Sequence, residues 1–165
     1  MSLPMTEDAN HPPSPSPAAA GPLILVDDRQ PVPVDIEQLQ RLALVCLDGE
    51  GRHEGELSVS LVTDEEITQL HERFMGESGP TDVLSFGFDD ADRRDPRAPP
   101  LLGDVVIAPA TATRNAEANG SDPDDELRLL LAHGILHLLG YDHEQDAGRA
   151  DMWARQERYS GVRTP

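Results

Sequence analysis

The chain has 165 residues, enough for one domain with a tail, and a formal net charge of −18. That charge argues against non-specific binding to nucleic acid or to anionic membranes, since both favour a basic surface. No apolar run reaches the ~18–20 residues that span a bilayer, and the first fifteen residues lack the pattern of a signal peptide. The single cysteine, Cys46, excludes an internal disulfide. We therefore expect a cytoplasmic protein without membrane association.

Hydrophobic periodicity predicts the secondary structure in chain order. Residues 1–22 are rich in Pro, Ser and Ala and predict a disordered tail. The predicted strands cover residues 23–26, 56–62, 82–86 and 101–108. The predicted helices cover about residues 36–47, 64–75, 110–119, 123–139 and 147–159. This order predicts a single α+β domain over residues 23–160, in which about five helices pack on a mixed four-stranded β-sheet.

The same pattern predicts that three particular side chains are buried. Cys46 lies among apolar neighbours and is predicted to be a buried thiol. Met152 lies on the last helix and is predicted to belong to the core. Phe74 continues the helical period of Ile67 and Leu70 and is expected to face inward with them.

Residues 133–143 read HGILHLLGYDH and contain three of the six histidines. His133 and His137 are four residues apart and share one helix face, and Gly140 lets the chain turn so that His143 returns as a third ligand. Three neutral imidazoles suit one Zn²⁺ ion and leave a fourth position for water. Such an ion lowers the pKa of a bound water from ~15.7 toward ~7. The pattern therefore predicts a zinc-hydrolase-like site.

Gly134 stands where the metzincin proteases carry the glutamate that acts as general base. A glycine cannot transfer a proton, and it costs about 1 kcal/mol in a helix interior relative to alanine. One explanation is the close packing of another backbone against the helix. The other is room beside the metal for a bulky substrate. A metzincin-like metallopeptidase is weakened by Gly134 but stays an alternative.

The histidine motif, together with PTDVLSF (80–86) and LGDVVIA (102–108), resembles the YbeY family of bacterial endoribonucleases over about residues 23–160. The resemblance implies that His133, His137 and His143 bind one zinc ion. It implies single-strand-directed RNA cleavage, maturation of the 3′ end of 16S rRNA on the 30S subunit, and ribosome quality control. It also implies two partners, a small-subunit ribosomal protein and an Era-type GTPase.

One departure from the family pattern concerns the cation that faces phosphate. Many members carry an arginine shortly before the PTDVLSF strand, and Met75 occupies that position here. The candidates to replace it are Arg73, Arg114 and the loop residues Arg93, Arg94 and Arg97. For each of them, a solvated surface charge is the alternative. The acidic domain leads us to expect weak binding to naked RNA, with the substrate delivered through a protein partner.

Other catalytic candidates lie close to the motif. Asp142 and Glu144 flank His143 and either orient a histidine, relay a proton or belong to a polar turn. Ser85 either contacts substrate or points to the solvent side of an edge strand, and Tyr141 either packs or acts. The attacking group is left open between water and the RNA 2′-OH. A non-catalytic ribosome assembly factor with structural zinc is the third hypothesis, although structural sites usually have four ligands.

Overall fold

A computed structural model describes residues 21–76, 81–87, 97, 99–141 and 146–163. The strands are β1 (Leu23–Asp28), β2 (Glu56–Leu61), β3 (Val83–Gly87) and β4 (Leu101–Ile107). The helices are α1 (Ile36–Gly49), α2 (Asp64–Met75), α3 (Pro109–Asn119), α4 (Pro123–Leu138) and α5 (Asp146–Ser160). The predicted α+β fold is confirmed. Residues 1–20 of the predicted tail lie outside the described residues, and none of the described helices is long and apolar enough to cross a membrane.

The four strands form one mixed sheet in the order β1-β2-β4-β3. β1, β2 and β4 run parallel, and β3 pairs antiparallel with β4, with Ser85 opposite Val105. Parallel strands are normally covered by helices, and here the strands contribute apolar residues to two cores. Because β3 stands at the end of the strand order, it is an edge strand, and residues 83–86 of the PTDVLSF segment lie at the border of the sheet.

The larger core lies between the sheet and helices α1, α3, α4 and α5. Its fully buried side chains include Leu39, Leu47, Leu57, Val59, Leu131, Ile135, Leu136 and Met152. Each buried aliphatic side chain of this size stabilises the fold by about 1.5–3 kcal/mol relative to exposure. Helix α4 contacts α1, α3, α5, β3 and β4, so the helix that carries the histidines is held from several sides. The prediction that Met152 belongs to the core is confirmed.

The predicted orientation of Phe74 is wrong, because its side chain is 56% exposed. Helix α2 covers a smaller core that includes Leu84 and Val106, and Ile67 and Leu70 reach it. Phe74 instead meets the half-buried ring of Phe86 edge-on, with the ring centroids 5.4 Å apart. Helical periodicity fixed the side of the helix correctly, but the core does not extend as far as its last turn.

Cys46 is fully buried on α1, and burial raises the pKa of its thiol to about 12. A thiol with that pKa is almost entirely protonated at neutral pH and is a poor nucleophile. We therefore expect iodoacetamide to leave Cys46 unmodified in the native protein and to alkylate it after unfolding in guanidinium chloride. Mass spectrometry of both samples tests this. Rapid alkylation of the native protein would contradict it.

Candidate metal centre

Helix α4 begins with strong start signals and ends directly before the turn that follows the second histidine. The Asp122 side chain accepts a hydrogen bond from the Asp124 N–H at 2.9 Å, and Pro123 occupies the first turn. The acidic side chains that follow Pro123 complement the helix dipole. After the helix, Gly140 adopts a φ of +100°, which L side chains rarely adopt. These features fix where α4 presents His133 and His137.

His133 and His137 lie one turn apart and face the same cavity. Their ring centroids are 4.5 Å apart, and the ring planes are inclined by 80°. The cavity has a volume of about 340 Å³ and is bordered by α4, β3 and the end of α2. Its lining residues are Met75, Val83, Leu84, Ser85, Gly87, His133, His137 and Leu138. The predicted pairing of the first two histidines in one site is therefore present in the fold.

Gln156 on α5 orients His133. The Oε1 atom of Gln156 lies 2.7 Å from Nδ1 of His133, and Gln156 is only 6% exposed. Because an amide oxygen only accepts hydrogen bonds, Nδ1 carries the proton and Nε2 carries the lone pair that a metal requires. Histidine ligands of zinc are typically held through their second nitrogen in this way. The residues present therefore fit a metal ion.

Gln156 is not among the residues predicted from the sequence, although the sequence contains a signal for it. Met152, Gln156 and Tyr159 are spaced as one face of α5, and all three are buried. A glutamine on an apolar helix face requires a partner, since a buried amide without one is costly. The spacing could have identified Gln156 as a buried polar group, but it could not have identified His133 as its partner.

Gln156→Leu is expected to weaken zinc binding by about 10- to 100-fold, which is the usual effect of removing a hydrogen bond to a metal ligand. The substitution keeps the approximate volume but removes the acceptor for His133. Competition with a chromophoric chelator measures the affinity. Gln69→Leu, on the exposed face of α2, is the matched control and should bind zinc as the unsubstituted chain does. Equal affinities for both variants would exclude this role.

Gly134 is buried where α4 crosses the sheet. A Cβ atom at this position would lie 2.6 Å from Cγ1 of Val105 and 3.1 Å from Oγ of Ser85. The close-packing explanation therefore holds, although the neighbour is a strand side chain and not another backbone. Close packing against β3 and β4 is sufficient to account for the glycine, and room beside the metal for substrate stays a prediction.

Ser85 faces α4 and not the open solvent. Its hydroxyl donates a hydrogen bond to the carbonyl oxygen of Gly134 at 3.0 Å, and its side chain borders the histidine cavity. Because the Ser85 hydroxyl donates its only proton to the Gly134 carbonyl, its oxygen can only accept a hydrogen bond from a group in the cavity. A contact between Ser85 and substrate stays a prediction.

The structure separates the candidate cations from the histidines. Met75 lines the cavity and is 48% exposed. Arg114 lies on α3, where its Nη2 is 2.7 Å from Asp64 Oδ2, and it is absent from the described lining of the cavity. The Arg73 guanidinium lies 5.3 Å from the ring centroid of Phe74. Arg97 is exposed, and Arg93 and Arg94 lie outside the described residues. The described wall of the histidine cavity thus contains no arginine.

A second, larger groove of about 960 Å³ borders the other side of His133 and is acidic. Its described lining contains four carboxylates, Asp82, Asp122, Asp125 and Glu126, and the guanidinium of Arg163. Burial raises the pKa of Glu126, and the charge of Asp82 raises it further. Because carboxylates repel phosphate, an anionic substrate is expected to approach the histidines from the Met75 side.

The remaining predicted residues follow α4. The Tyr141 hydroxyl donates a hydrogen bond to Glu50 Oε1 at 2.5 Å. This hydrogen bond raises the pKa of Tyr141 to about 12. Asp142, His143 and Glu144 lie outside the described residues. Within the described part of the chain, no group of three or more His, Cys, Asp or Glu could hold a metal ion. The third ligand therefore stays a prediction from the sequence.

Comparisons with known proteins identify relatives of this chain. The family model described as Endoribonuclease YbeY matches residues 26–161. An Endoribonuclease YbeY from Thermobifida fusca is 49% identical over 129 residues, which cover 76% of this chain and 83% of that protein. An Endoribonuclease YbeY from Frankia alni is 46% identical over 132 residues, which cover 76% of this chain and 73% of that protein. The solution structure of TM1509 from Thermotoga maritima superposes with a TM-score of 0.58 at 28% identity, covering 84% of this chain and 87% of TM1509. The family match over most of the chain and the identity to these relatives show that the chain belongs to the Endoribonuclease YbeY family.

Proposed function

We propose that the chain is a zinc-dependent, single-strand-directed endoribonuclease that acts in 16S rRNA 3′-end maturation and ribosome quality control. The observation that carries the metal site is the pair His133 and His137 in one cavity, with the tautomer of His133 set by Gln156. Family membership supports RNA as the substrate, since the relatives are named endoribonucleases. The proposed location is the cytoplasm.

His133, His137 and His143 would hold the ion. When bound, zinc would supply a positive charge that stabilises the phosphoryl oxygens and promotes the loss of a proton from the attacking group. Gln156 keeps His133 in the tautomer that binds metal. The hydroxyl oxygen of Ser85 accepts a hydrogen bond from the RNA. Asp142 accepts the proton of the attacking group, because Gly134 stands where a metzincin carries its glutamate and cannot accept one. Whether water or the 2′-OH attacks decides which ends the products carry.

The charges around the site favour delivery of RNA by a partner. The described wall of the cavity offers no arginine, and the groove on the other side of His133 is acidic. Naked RNA is therefore expected to bind weakly and with little salt dependence. We propose that the 30S subunit, through a small-subunit ribosomal protein and an Era-type GTPase, brings the RNA to the site. Arg114, which is exposed on α3, is proposed to contact a phosphate farther along the strand.

One experiment separates the candidate functions. The purified protein is assayed for bound zinc and incubated with precursor 16S rRNA and, separately, with casein. Cleavage of the RNA that stops with a chelator and returns with zinc supports the proposal. Cleavage of casein would favour the metzincin-like peptidase. Bound zinc without either activity would favour an assembly factor with structural zinc.

Met75→Arg is expected to strengthen binding of single-stranded RNA by about tenfold, which corresponds to one additional charged hydrogen bond to phosphate. It should also steepen the dependence of log affinity on log salt concentration by about 0.7, the value for one phosphate contact on a single strand. Fluorescence anisotropy at several salt concentrations measures both. Phe74→Arg is the matched control, because Phe74 is exposed beside Met75 but is absent from the described cavity lining. Equal gains in the two variants would mean that position 75 has no special access to the RNA.

A further inference from the structure

A single buried carboxylate joins the two sides of the chain segment that carries the predicted third ligand. Glu50 directly follows α1, and its side chain is 5% exposed. Its Oε1 accepts a hydrogen bond from the Tyr141 hydroxyl at 2.5 Å. Its Oε2 accepts from Arg155 Nη1 at 2.6 Å and from the Tyr159 hydroxyl. Tyr141 precedes residues 142–145, whereas Arg155 and Tyr159 lie on α5, which follows them.

Glu50 is bound as a charged group and not as a neutral acid. Burial alone would raise the pKa of its carboxyl, but the hydrogen bonds from Tyr141, Tyr159 and Arg155 outweigh burial and lower it. The carboxylate is therefore ionised at neutral pH, and its three donors compensate its desolvation. The removal of one donor leaves part of a buried charge without a partner, which is more costly than the loss of a surface hydrogen bond.

The surroundings of Glu50 are shaped for this contact. A Cβ atom on Gly49 would lie 2.6 Å from the hydroxyl oxygen of Tyr159, so glycine is needed for that ring to reach Glu50. The Arg155 guanidinium also lies 4.9 Å from the centroid of the Tyr141 ring, which joins the two sides a second time. Helix α1 itself is fixed in the core by Cys46 and Leu47, both fully buried. Glu50 therefore presents its carboxylate from a rigid position.

The cluster is connected to the metal centre through α5. Gln156, which holds His133, is the residue next to Arg155. The position of α5 relative to α4 therefore depends in part on Glu50 and decides how Gln156 meets the imidazole.

We propose that Glu50 is a positioning residue of the metal centre. By holding Tyr141 and α5 at one point, it sets Gln156 against His133. This inference rests on the proposed function, since it requires that the histidines bind a metal. It goes beyond that function because it makes the zinc affinity of the site depend on Glu50. This carboxylate is neither a proposed metal ligand nor a hydrogen-bond partner of a described ligand.

Glu50→Gln and Tyr141→Phe test the proposal. A glutamine presents an N–H₂ group where Glu50 accepts from donors on both oxygens, so at least one contact is lost. The phenylalanine removes one hydroxyl and keeps the ring. We expect each variant to bind zinc about tenfold more weakly, at the lower end of the effects known for groups around metal ligands. We also expect a changed absorption spectrum of the cobalt-substituted protein. Both are measured at a temperature at which circular dichroism shows the apo variants to be folded.

The control separates positioning from general stability. Glu66→Gln breaks the ion pair in which Arg29 Nη2 lies 2.5 Å from Glu66 Oε2, at the start of α2. It should leave zinc affinity and the cobalt spectrum unchanged, even if it lowers the thermal midpoint. The double variant Glu50→Gln/Tyr141→Phe should lose less binding free energy for zinc than the sum of the losses in the two single variants, because both changes remove the same contact.

Two results would overturn the proposal. If both single variants bind zinc as tightly as the unsubstituted chain, with the same cobalt spectrum, Glu50 contributes to stability alone. If the unsubstituted chain binds no zinc, the proposed function fails together with this inference. Tyr141→Phe keeps the test decisive if Glu50→Gln does not fold, because it leaves the buried carboxylate bonded to Arg155 and Tyr159.

Discussion

His133→Ala is expected to abolish zinc binding and to lower the rate of RNA cleavage by about a thousandfold, corresponding to a loss of roughly 4 kcal/mol of transition-state stabilisation. The substitution removes one of the two described histidines of the cavity and the partner of Gln156. With the proposed ligand set, only His137 and His143 would remain, and two imidazoles hold zinc poorly because a tetrahedral site then lacks half of its ligands. Cleavage of precursor 16S rRNA in single-turnover conditions, together with zinc content, measures the effect.

A parallel variant and a control make this result specific. His133→Ala also leaves the buried oxygen of Gln156 without its partner, which costs about 1–3 kcal/mol of stability. His137→Ala tests the same cavity without that loss and should give the same loss of zinc and of cleavage. His53→Ala replaces a histidine whose side chain is 69% exposed in the turn after α1, and it should retain full activity. RNA cleavage that persists in both cavity variants would exclude a metal-dependent reaction at this site.

The elements of this fold could be predicted because their signals are local. The start of α4 is specified by Asp122 and Pro123 within two residues of each other, and its end by Gly140. Short apolar segments, with alternation in residues 56–62, identified the four described strands to within a few residues. Strand order is not local, however, and the sequence alone did not place β3 antiparallel at the edge beside β4.

The contacts around the candidate metal centre could not be predicted because they join distant parts of the chain. Gln156 meets His133 across 23 residues, and Glu50 meets Tyr141 across 91. Periodicity can show that Gln156 is buried, but it cannot show which group accepts or donates to it. For Gly134, the sequence left two explanations open, and the position of Val105 supports close packing.

Gly134→Ala is expected to destabilise the fold by about 1–3 kcal/mol, the usual cost of overpacking a core. In an exposed helix the same change would stabilise by about 1 kcal/mol. The difference arises because the new methyl group would meet Cγ1 of Val105 at 2.6 Å, and Val105 is fully buried and stiff about χ1. Urea unfolding monitored by circular dichroism measures the change.

Two further variants show whether Val105 is the cause. Gly87→Ala is the matched control, because Gly87 borders the same cavity but a Cβ there would meet nothing within 4 Å. In a Val105→Ala background, Gly134→Ala should become neutral or stabilising by up to about 1 kcal/mol, since the methyl group then enters space that Val105 has vacated. A stabilising effect of Gly134→Ala in the unsubstituted chain would contradict the observed packing.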